Sequence, residues 1–466
     1  MAFETIGEGG FGPTVEKRDL GDILEGLRFT RLHALIAFAT IFGFFIDSVD
    51  TSVLSLALPS LTSTWHLGGA TSGFLGGSIF YGMMIGAATF GWLADLFGRK
   101  SVMILTLIGM CVFTAAEGLA PNPATFIVFR VLTGVFTGAM IPLDLAYLSE
   151  IAPRKSRGRL LGAVGVSWPL GSLVATLLAG WLLPTIGWRW TFGVMIIPAL
   201  VGLLIWRYVI ESPRWLAKRG RWDEAAKNAN RLGASIRSVD DLALTERRSA
   251  DTRVRFTDGV RELFTPRYLV RAVGASLHYF LAYGLTYGWM VFLPTILLSV
   301  LGYPLQKTVF MVVLTNLASF LGRLTIAVTA DKFQRYATLM VALVLYIAMS
   351  LVMSFAIGFG PGLVVLFVIL MLVFQYANDL AAVFQQWIPE VFPSETRAFA
   401  ASFTSAFGRL AAALFPILVG SLVAGGGTKI VFYIIAGIGV LLIINATVFL
   451  RRSETVGKGL SDVGGE

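Results

Sequence analysis

The chain has 466 residues, of which 56% are apolar and 14% are charged, and its formal net charge is +9. A mean hydropathy of +0.76 lies far above the soluble-protein range and excludes an ordinary water-soluble globular protein. The basic charge requires no nucleic-acid partner, because lysines and arginines in the cytosolic loops of a membrane protein account for it.

Twelve segments are long and apolar enough to cross a bilayer as helices, which takes roughly 20 residues each. Their centres lie near residues 45, 83, 109, 136, 170, 198, 285, 317, 346, 373, 410 and 439, and we number them spans one to twelve. The first span follows a polar tail and is too long for the apolar region of a signal peptide, so we expect no cleavage.

Orientation follows from the loops, since the outside loops carry only Arg189, Lys307 and Lys429. We therefore predict an all-α membrane protein with twelve transmembrane helices in two six-helix halves and both termini in the cytosol. The predicted parts are a cytosolic tail (1–31), a first bundle (32–210), a cytosolic linker with short amphipathic helices (211–268), a second bundle (269–450) and a cytosolic tail (451–466).

Two acids, Asp47 and Asp50, lie near the middle of span one in "FFIDSVDTS". They are three residues apart and therefore share one helix face. Ionisable groups at membrane depth are costly and mark functional sites by default. Two carboxylates this close in a low-dielectric cavity cannot easily both ionise, so we expect one of them to carry a proton. The alternative is that one acid is structural and stays permanently paired.

Span four supplies the candidate counter-charge. Arg130 lies twenty residues before Glu150, or roughly 30 Å further out along the helix, and Asp50 is nearer that depth than Asp47. Asp144 lies six residues before Glu150 and is either a second proton site or part of an inner gate. Glu117, near the outer end of span three, is expected to be in contact with water.

Charged motifs in the cytosolic loops recur in the two halves. "GWLADLFGRK" is matched by "AVTADKFQRY", and "SEIAPRKSRGR" is matched by "PEVFPSETRAF", at offsets of 236 and 240 residues. Such charges favour a network that holds the halves together at the cytosolic end while the outside is open; the alternative is that cytosolic loops need arginines anyway. The predicted gate residues are Asp95, Arg99, Glu150, Arg157, Asp331, Arg335, Glu390 and Arg397.

The pattern G-x-x-x-D-x-x-G-R-[RK], present as "GWLADLFGRK", resembles the signature of the major facilitator superfamily. "ESPRWL" after span six and the E-x-x-P-x-x-x-R-G run after span four are similar to the arm of that family that contains sugar porters, organic-ion transporters, synaptic-vesicle-glycoprotein-like proteins and bacterial aromatic-acid or metabolite:proton symporters. The resemblance implies two bundles that alternate access to a site at the membrane midplane.

Within that arm of the family, motifs in spans one and four are consistent with two different classes of transporter. "SVDT" and "RVLTG" resemble proton-coupled sugar symporters, in which the equivalents of Asp50 and Arg130 pair, whereas Asp47 with Asp50 resembles the D-G-x-D of aromatic-acid symporters with Ser48 replacing the glycine. The sugar-binding amides typical of span seven are missing. Tyr283 and Tyr287 stand in that span and either contact substrate or only pack.

Arg409 lies in span eleven, about 18 Å inside Arg397. Its G-R-x-x-x-x-x-x-P setting resembles organic-anion and aromatic-acid transporters, which implies that it meets a substrate carboxylate, a group that suits a planar guanidinium. The alternative is a permanent bridge to Asp379 of span ten. Asp379, Asn378 and Gln375 form a polar run that predicts cavity lining.

The function that we predict is proton-coupled symport of a small organic anion, aromatic or another monocarboxylate. The alternatives are a sugar, polyol or organic cation bound at Asp379 or Asp47, or proton-driven efflux. The sequence lacks zinc-protease, hydrolase-elbow and Walker motifs, so we expect no enzyme activity.

We expect no cofactor and no metal, because the chain has one cysteine and three scattered histidines. The expected partners are the small-molecule substrate, protons and membrane lipid, with no nucleic acid. We expect the protein to be a monomer, placed in the inner membrane of the cell as a multi-pass protein.

Overall fold

The computed structural model describes residues 19–138, 140–239, 242, 263, 265–329, 333–356, 364–392 and 397–450, with the backbone alone at 141, 266, 267, 364, 389, 390, 397, 398 and 450. In these ranges, 11 helices are long and apolar enough to cross a membrane. One of them, Arg154–Trp206, has 53 residues and is interrupted at Gly187, where φ is 75° and ψ is 169°. It therefore forms two consecutive spans, and the predicted twelve-helix fold is confirmed.

The helices of the first half begin with a short cytosolic helix, Leu20–Gly26. Spans one to three are Arg31–Trp65, Gly69–Phe97 and Arg99–Glu117, and span four is Pro123–Thr137 with Met140–Ile151. Spans five and six together are Arg154–Gly193 with Ile197–Trp206, and the break at Gly187 separates span five from span six. Two short helices, Pro213–Lys218 and Trp222–Leu232, follow on the cytosolic side.

The helices of the second half follow the same plan. Spans seven to nine are Pro266–Thr295, Leu305–Thr329 and Arg335–Ala356; span ten is Val364–Ala381 with Phe384–Glu390; spans eleven and twelve are Arg397–Ala424 and Thr428–Asn445.

The turn between spans two and three depends on Gly98. Its φ of 99° lies in a region that side chains rarely adopt, and a Cβ there would also collide with the carboxylate of Glu211. The motif glycine therefore allows span three to start at Arg99, directly after the turn, with its first N–H groups beside an acid.

The two halves touch most closely where span two crosses span eleven. Gly69, Gly73 and Gly77 form one face of span two, and a Cβ on any of them would overlap the span-eleven backbone at Gly420, Pro416 and Ala413 respectively. Helices approach this closely on small residues alone. Because these residues occupy the outer half of both spans, the contact closes the outer side of the protein.

Spans five and eight make a second contact between the halves, and this one is polar. Ser172 Oγ donates to Asn316 Oδ1 at 2.9 Å, and Asn316 Nδ2 donates to Thr176 Oγ1 at 2.9 Å. The residues of both contacts line a cavity of about 1400 Å³. The lining of this cavity continues to the exposed residues Lys155 and Arg159 at the cytosolic end of span five. The structure is therefore open to the cytosol and closed to the outside.

Replacing Gly77 with valine should disfavour this inward-open state, because the added carbons overlap the Ala413 carbonyl. Overpacking of this kind costs about 1–3 kcal/mol. The measurement is the rate at which a thiol reagent labels Gly162→Cys, a cavity-lining position with open space around it, from the cytosolic face in a Cys111→Ser background.

We expect Gly77→Val to slow that labelling several-fold. The matched control is Gly437→Val, on span twelve, where no atom lies near the added carbon. Equal labelling rates in the two variants would contradict the role assigned to the contact between spans two and eleven.

Candidate functional site

Asp50 and Arg130 form a fully buried ion pair between spans one and four. Arg130 Nη1 lies 2.7 Å from Asp50 Oδ2, and Thr114 of span three donates to Asp50 Oδ1 at 2.9 Å. The structure thus brings together the acid and the cation that were matched by their depth in the sequence. Their role in coupling remains a prediction.

Glu117 joins the same cluster, so the expectation that it is in contact with water was wrong. Its side chain has no exposed surface, its Oε1 lies 3.5 Å from Arg130 Nη1, and it accepts a hydrogen bond of 3.0 Å from Thr133. Position along the sequence gives a residue's depth but not the direction in which it faces. Arg130 therefore has two buried acids, and we call Asp50, Glu117 and Arg130 the Arg130 triad.

Asp47 has the opposite environment from Asp50. Its side chain is buried, and neither of its carboxylate oxygens has a hydrogen-bond partner among the described residues. Asp144 of span four lies within Coulombic range and is also buried, with one carboxylate oxygen unpaired in this part of the chain. A buried carboxylate without a partner is costly as an ion. This position suits a group that gains and loses a proton.

Arg409 lies across the boundary between the halves from Asp47. Its half-buried guanidinium makes no hydrogen bond or ion pair with any residue that the structure describes. The groups whose charge acts on it include Asp47 and the phenols of Tyr279, Tyr283 and Tyr287. An arginine near the midplane is thus surrounded by aromatic side chains and by an acid on the opposite half.

Tyr283 and Tyr287 line the cavity one helical turn apart on span seven. Their ring centroids are 5.7 Å apart, and Tyr287 also packs edge-on against Phe80 of span two at 4.5 Å. Gln385 donates to the hydroxyl of Tyr283 at 3.4 Å. The two tyrosines form one aromatic wall of the cavity below the closed outer side.

Asp379 has a partner that was not predicted from the sequence. Arg323 Nε lies 2.9 Å from Asp379 Oδ1, and Gln375 donates to the other carboxylate oxygen at 2.7 Å. The alternative of a permanent bridge between Arg409 and Asp379 is therefore wrong. The run "FLGRL" placed Arg323 in span eight, six residues before the end of the helix, but it did not show that spans eight and ten are neighbours.

Asn378, next to Asp379, also lines the cavity. Its Oδ1 accepts a hydrogen bond of 3.1 Å from Thr286 of span seven. The predicted polar run of span ten therefore faces the cavity, with Gln375 and Asn378 each committed to a neighbour.

Three of the predicted gate residues meet in the first half. Arg99 Nη1 lies 2.7 Å from Asp95 Oδ1, Arg99 Nη2 lies 3.3 Å from Glu150 Oε1, and Ser212 donates to the other oxygen of Glu150. Glu211 accepts from the backbone N–H of Arg99 at 2.9 Å. Burial raises the pKa of Glu211 against the opposing effect of its N–H donors. "ESPRWL" thus caps span three and holds the charge cluster.

Arg157 lies outside that cluster. Its Nη2 lies 2.9 Å from Glu25 Oε1 of the first cytosolic helix, and Arg214 approaches the same oxygen at 3.2 Å. These two guanidinium groups lower the pKa of Glu25. The prediction that Arg157 belongs with Asp95 and Arg99 does not hold in this state, because the N-terminal helix supplies its partner.

The second-half members of the predicted gate are only partly described. Arg335 Nη1 donates to Gln386 Oε1 at 3.4 Å. Asp331 lies outside the described residues, and so do the side chains of Glu390 and Arg397. Within the described ranges, no three His, Cys, Asp or Glu side chains are grouped so that they could hold a metal ion.

Comparison with known proteins identifies the family. The Major Facilitator Superfamily model matches residues 40–380 and 380–465. The niacin transporter NiaP of Acinetobacter baylyi is 29% identical over 96% of this chain and 100% of its own length. The cis,cis-muconate transport protein of the same organism is 27% identical over 88% of this chain and 92% of its own length.

Two further proteins are similar to this chain at a lower sequence identity. The 4-hydroxybenzoate transporter PcaK of Acinetobacter baylyi is 25% identical over 68% of this chain and 69% of its own length. The xylose transporter XylE from E. coli, in a partially occluded inward-open structure, superposes with a TM-score of 0.74 at 21% identity, over 92% of this chain and 100% of that one, which supports the fold. The chain is a multi-pass transporter of the cell membrane, not an enzyme, and it belongs to the major facilitator superfamily.

Proposed function

We propose that the protein carries a small organic monocarboxylate, with an aromatic acid as the best fit, into the cell together with protons by alternating access. The observation that carries this proposal is the unpaired guanidinium of Arg409, which lies beside a tyrosine wall and opposite the unpaired acid Asp47. An unpaired cation at this depth is costly unless a ligand neutralises it during the cycle.

Arg409 suits a carboxylate because its planar fork donates two parallel hydrogen bonds. The rings of Tyr283 and Tyr287 offer a flat substrate both aromatic contact and hydroxyl groups. Arg323 neutralises Asp379, so the nearest acid on the second half does not repel an anion. Three relatives are named for niacin, cis,cis-muconate and 4-hydroxybenzoate, which are all carboxylic acids.

Coupling follows from competition for Arg409. While the site is empty, Arg130 and Arg409 both offset a negative charge on Asp47; a bound carboxylate takes over Arg409 and adds a negative charge nearby. Asp47 then binds a proton, and acid and proton move together. Asp144, on the cytosolic side of Asp47, is the next acid along the path and passes the proton towards the cytosol.

The Arg130 triad gives the outer part of the site a second proton position. If Asp50 takes up a proton, Arg130 still has Glu117 as a partner and is never left alone in the membrane. The gate residues Asp95, Arg99 and Glu150 would then hold the cytosolic ends when the outside opens.

A proton-coupled sugar or polyol transporter is the second candidate. The amides of Asn316, Gln375, Asn378 and Gln385 line the cavity and are suited to hydroxyl groups. In that case Arg409 would have no ligand, and neutral solutes would be transported in preference to acids.

Uptake into proteoliposomes under an inward proton gradient separates these readings. The probes are radiolabelled nicotinate, benzoate, xylose and choline. We expect wild type to accumulate an acid and to lose that accumulation when an uncoupler is added. Arg409→Ala should neither accumulate nor exchange the acid, because its carboxylate contact is lost, and Arg409→Lys should retain part of the exchange.

Asp47→Asn should exchange the acid across the membrane without accumulating it, because substrate binding is kept while the proton site is lost. Accumulation of xylose or choline alone, or normal acid uptake by Arg409→Ala, would contradict the proposal.

The Arg130 triad makes a separate prediction about stability. Arg130→Met leaves two buried acids without a cation, and breaking a buried pair in this way costs about 3–5 kcal/mol. We expect a clearly lower unfolding temperature in detergent. The triple variant Arg130→Met/Asp50→Asn/Glu117→Gln, in which no member of the triad is charged, should recover most of the loss. An Arg130→Met protein as stable as wild type would refute the assignment.

A further inference from the structure

Arg323 lines the cavity and lies closer to the cytosol than Arg409. Arg323 lies six residues before the cytosolic end of span eight, or about 9 Å along the helix, whereas Arg409 is twelve residues, or about 18 Å, from the start of span eleven. Arg323 is not among the site residues predicted from the sequence, and the proposed function does not use it for binding.

The pair of Arg323 with Asp379 uses only part of the guanidinium. Nε contacts one carboxylate oxygen at 2.9 Å, Nη1 contacts Gln385 at a long 3.4 Å, and Nη2 has no hydrogen bond to a described residue. The side chain of Arg323 is 24% exposed, while that of Asp379 is 6% exposed. A guanidinium has five donors, so the terminal nitrogens remain available to a group in the cavity.

The aromatic wall connects the two arginines. Tyr283 and Tyr287 each lie within Coulombic range of both Arg409 and Arg323, and both tyrosines line the cavity. An aromatic acid can therefore keep its ring against the wall while its carboxylate passes from the deeper cation to the shallower one.

We propose that Arg323 is a second carboxylate station, which receives the anion from Arg409 before the anion leaves for the cytosol; this rests on the proposed function. Asp379 is the counter-ion of this station. The Arg323–Asp379 pair is neutral, so it attracts an anion less strongly than the unpaired Arg409 does. A pathway site must bind tightly enough to accept its ligand and weakly enough to release it.

The test compares the two faces of the membrane. Exchange of radiolabelled nicotinate and benzoate in inside-out and right-side-out vesicles gives a KM for the cytosolic and for the outer face. We expect Arg323→Gln to raise the cytosolic-face KM about tenfold, which corresponds to the loss of a charge-assisted contact, with a smaller effect at the outer face. Asp379→Asn should lower the cytosolic-face KM and slow net release.

Two further variants keep the test decisive. Arg323→Gln/Asp379→Asn removes both charges of the pair, so neither is left without its partner; this variant should fold and still show the raised cytosolic-face KM. Arg159→Gln removes an equal charge from an exposed residue at the cavity mouth and should leave the KM near the wild-type value.

The outcomes separate the two proposals. If wild type transports the acids but both Arg323 variants keep its cytosolic-face KM, the second station is overturned and the proposed function stands. A change in Arg159→Gln as large as that in Arg323→Gln would also overturn the station, because the effect would then be one of general charge. If wild type transports neither acid, the proposed function fails and the station fails with it.

Discussion

The cost of an unpaired charge at membrane depth determines how this protein is arranged. In the described spans, Arg130 is held between Asp50 and Glu117, and Arg323 is held by Asp379. The exceptions are concentrated where the two halves meet: Asp47, with Asp144 close to it, faces Arg409 from the other half. In the proposed alternating-access cycle the halves move relative to each other, so a charge balance that is completed only across their boundary would respond to ligand, proton and conformation together.

The contacts between the halves suit that movement. On the outer side, glycines of span two lie directly against the backbone of span eleven, so the closed state depends on close backbone packing. The two helices can therefore move apart along this contact without breaking an ion pair. The link between Asn316 and Ser172 adds directional hydrogen bonds to the same closed side. On the cytosolic side the described charge cluster of Asp95, Arg99 and Glu150 lies within the first half, and the cavity is open.

The sequence was sufficient for features that depend on depth and on local chemistry. Hydropathy gave twelve spans, the positions of lysine and arginine gave the orientation, and the shared depth of Asp50 and Arg130 anticipated their contact. Gly98 in its motif also has a local cause, since its φ of 99° requires a glycine.

Features that depend on helix rotation could not be predicted in the same way. Each residue turns about 100° around a helix, so Glu117 had a known depth and an unknown facing, and it proved to be buried against Arg130. The pairing of Arg323 with Asp379 requires spans eight and ten to be neighbours, and the pairing of Arg157 with Glu25 requires the N-terminal helix to fold back. Neither arrangement can be predicted from hydropathy or from a sequence motif.

The central claim is that a carboxylate bound at Arg409 makes Asp47 take up a proton. The most direct measurement is the change in proton concentration, followed with a pH indicator in weakly buffered detergent solution, when nicotinate or benzoate is added to the purified protein. The account predicts proton uptake that saturates together with acid binding in wild type, and acid binding without that uptake in Asp47→Asn. Acid binding to wild type with no proton uptake, or equal uptake in Asp47→Asn, would contradict it.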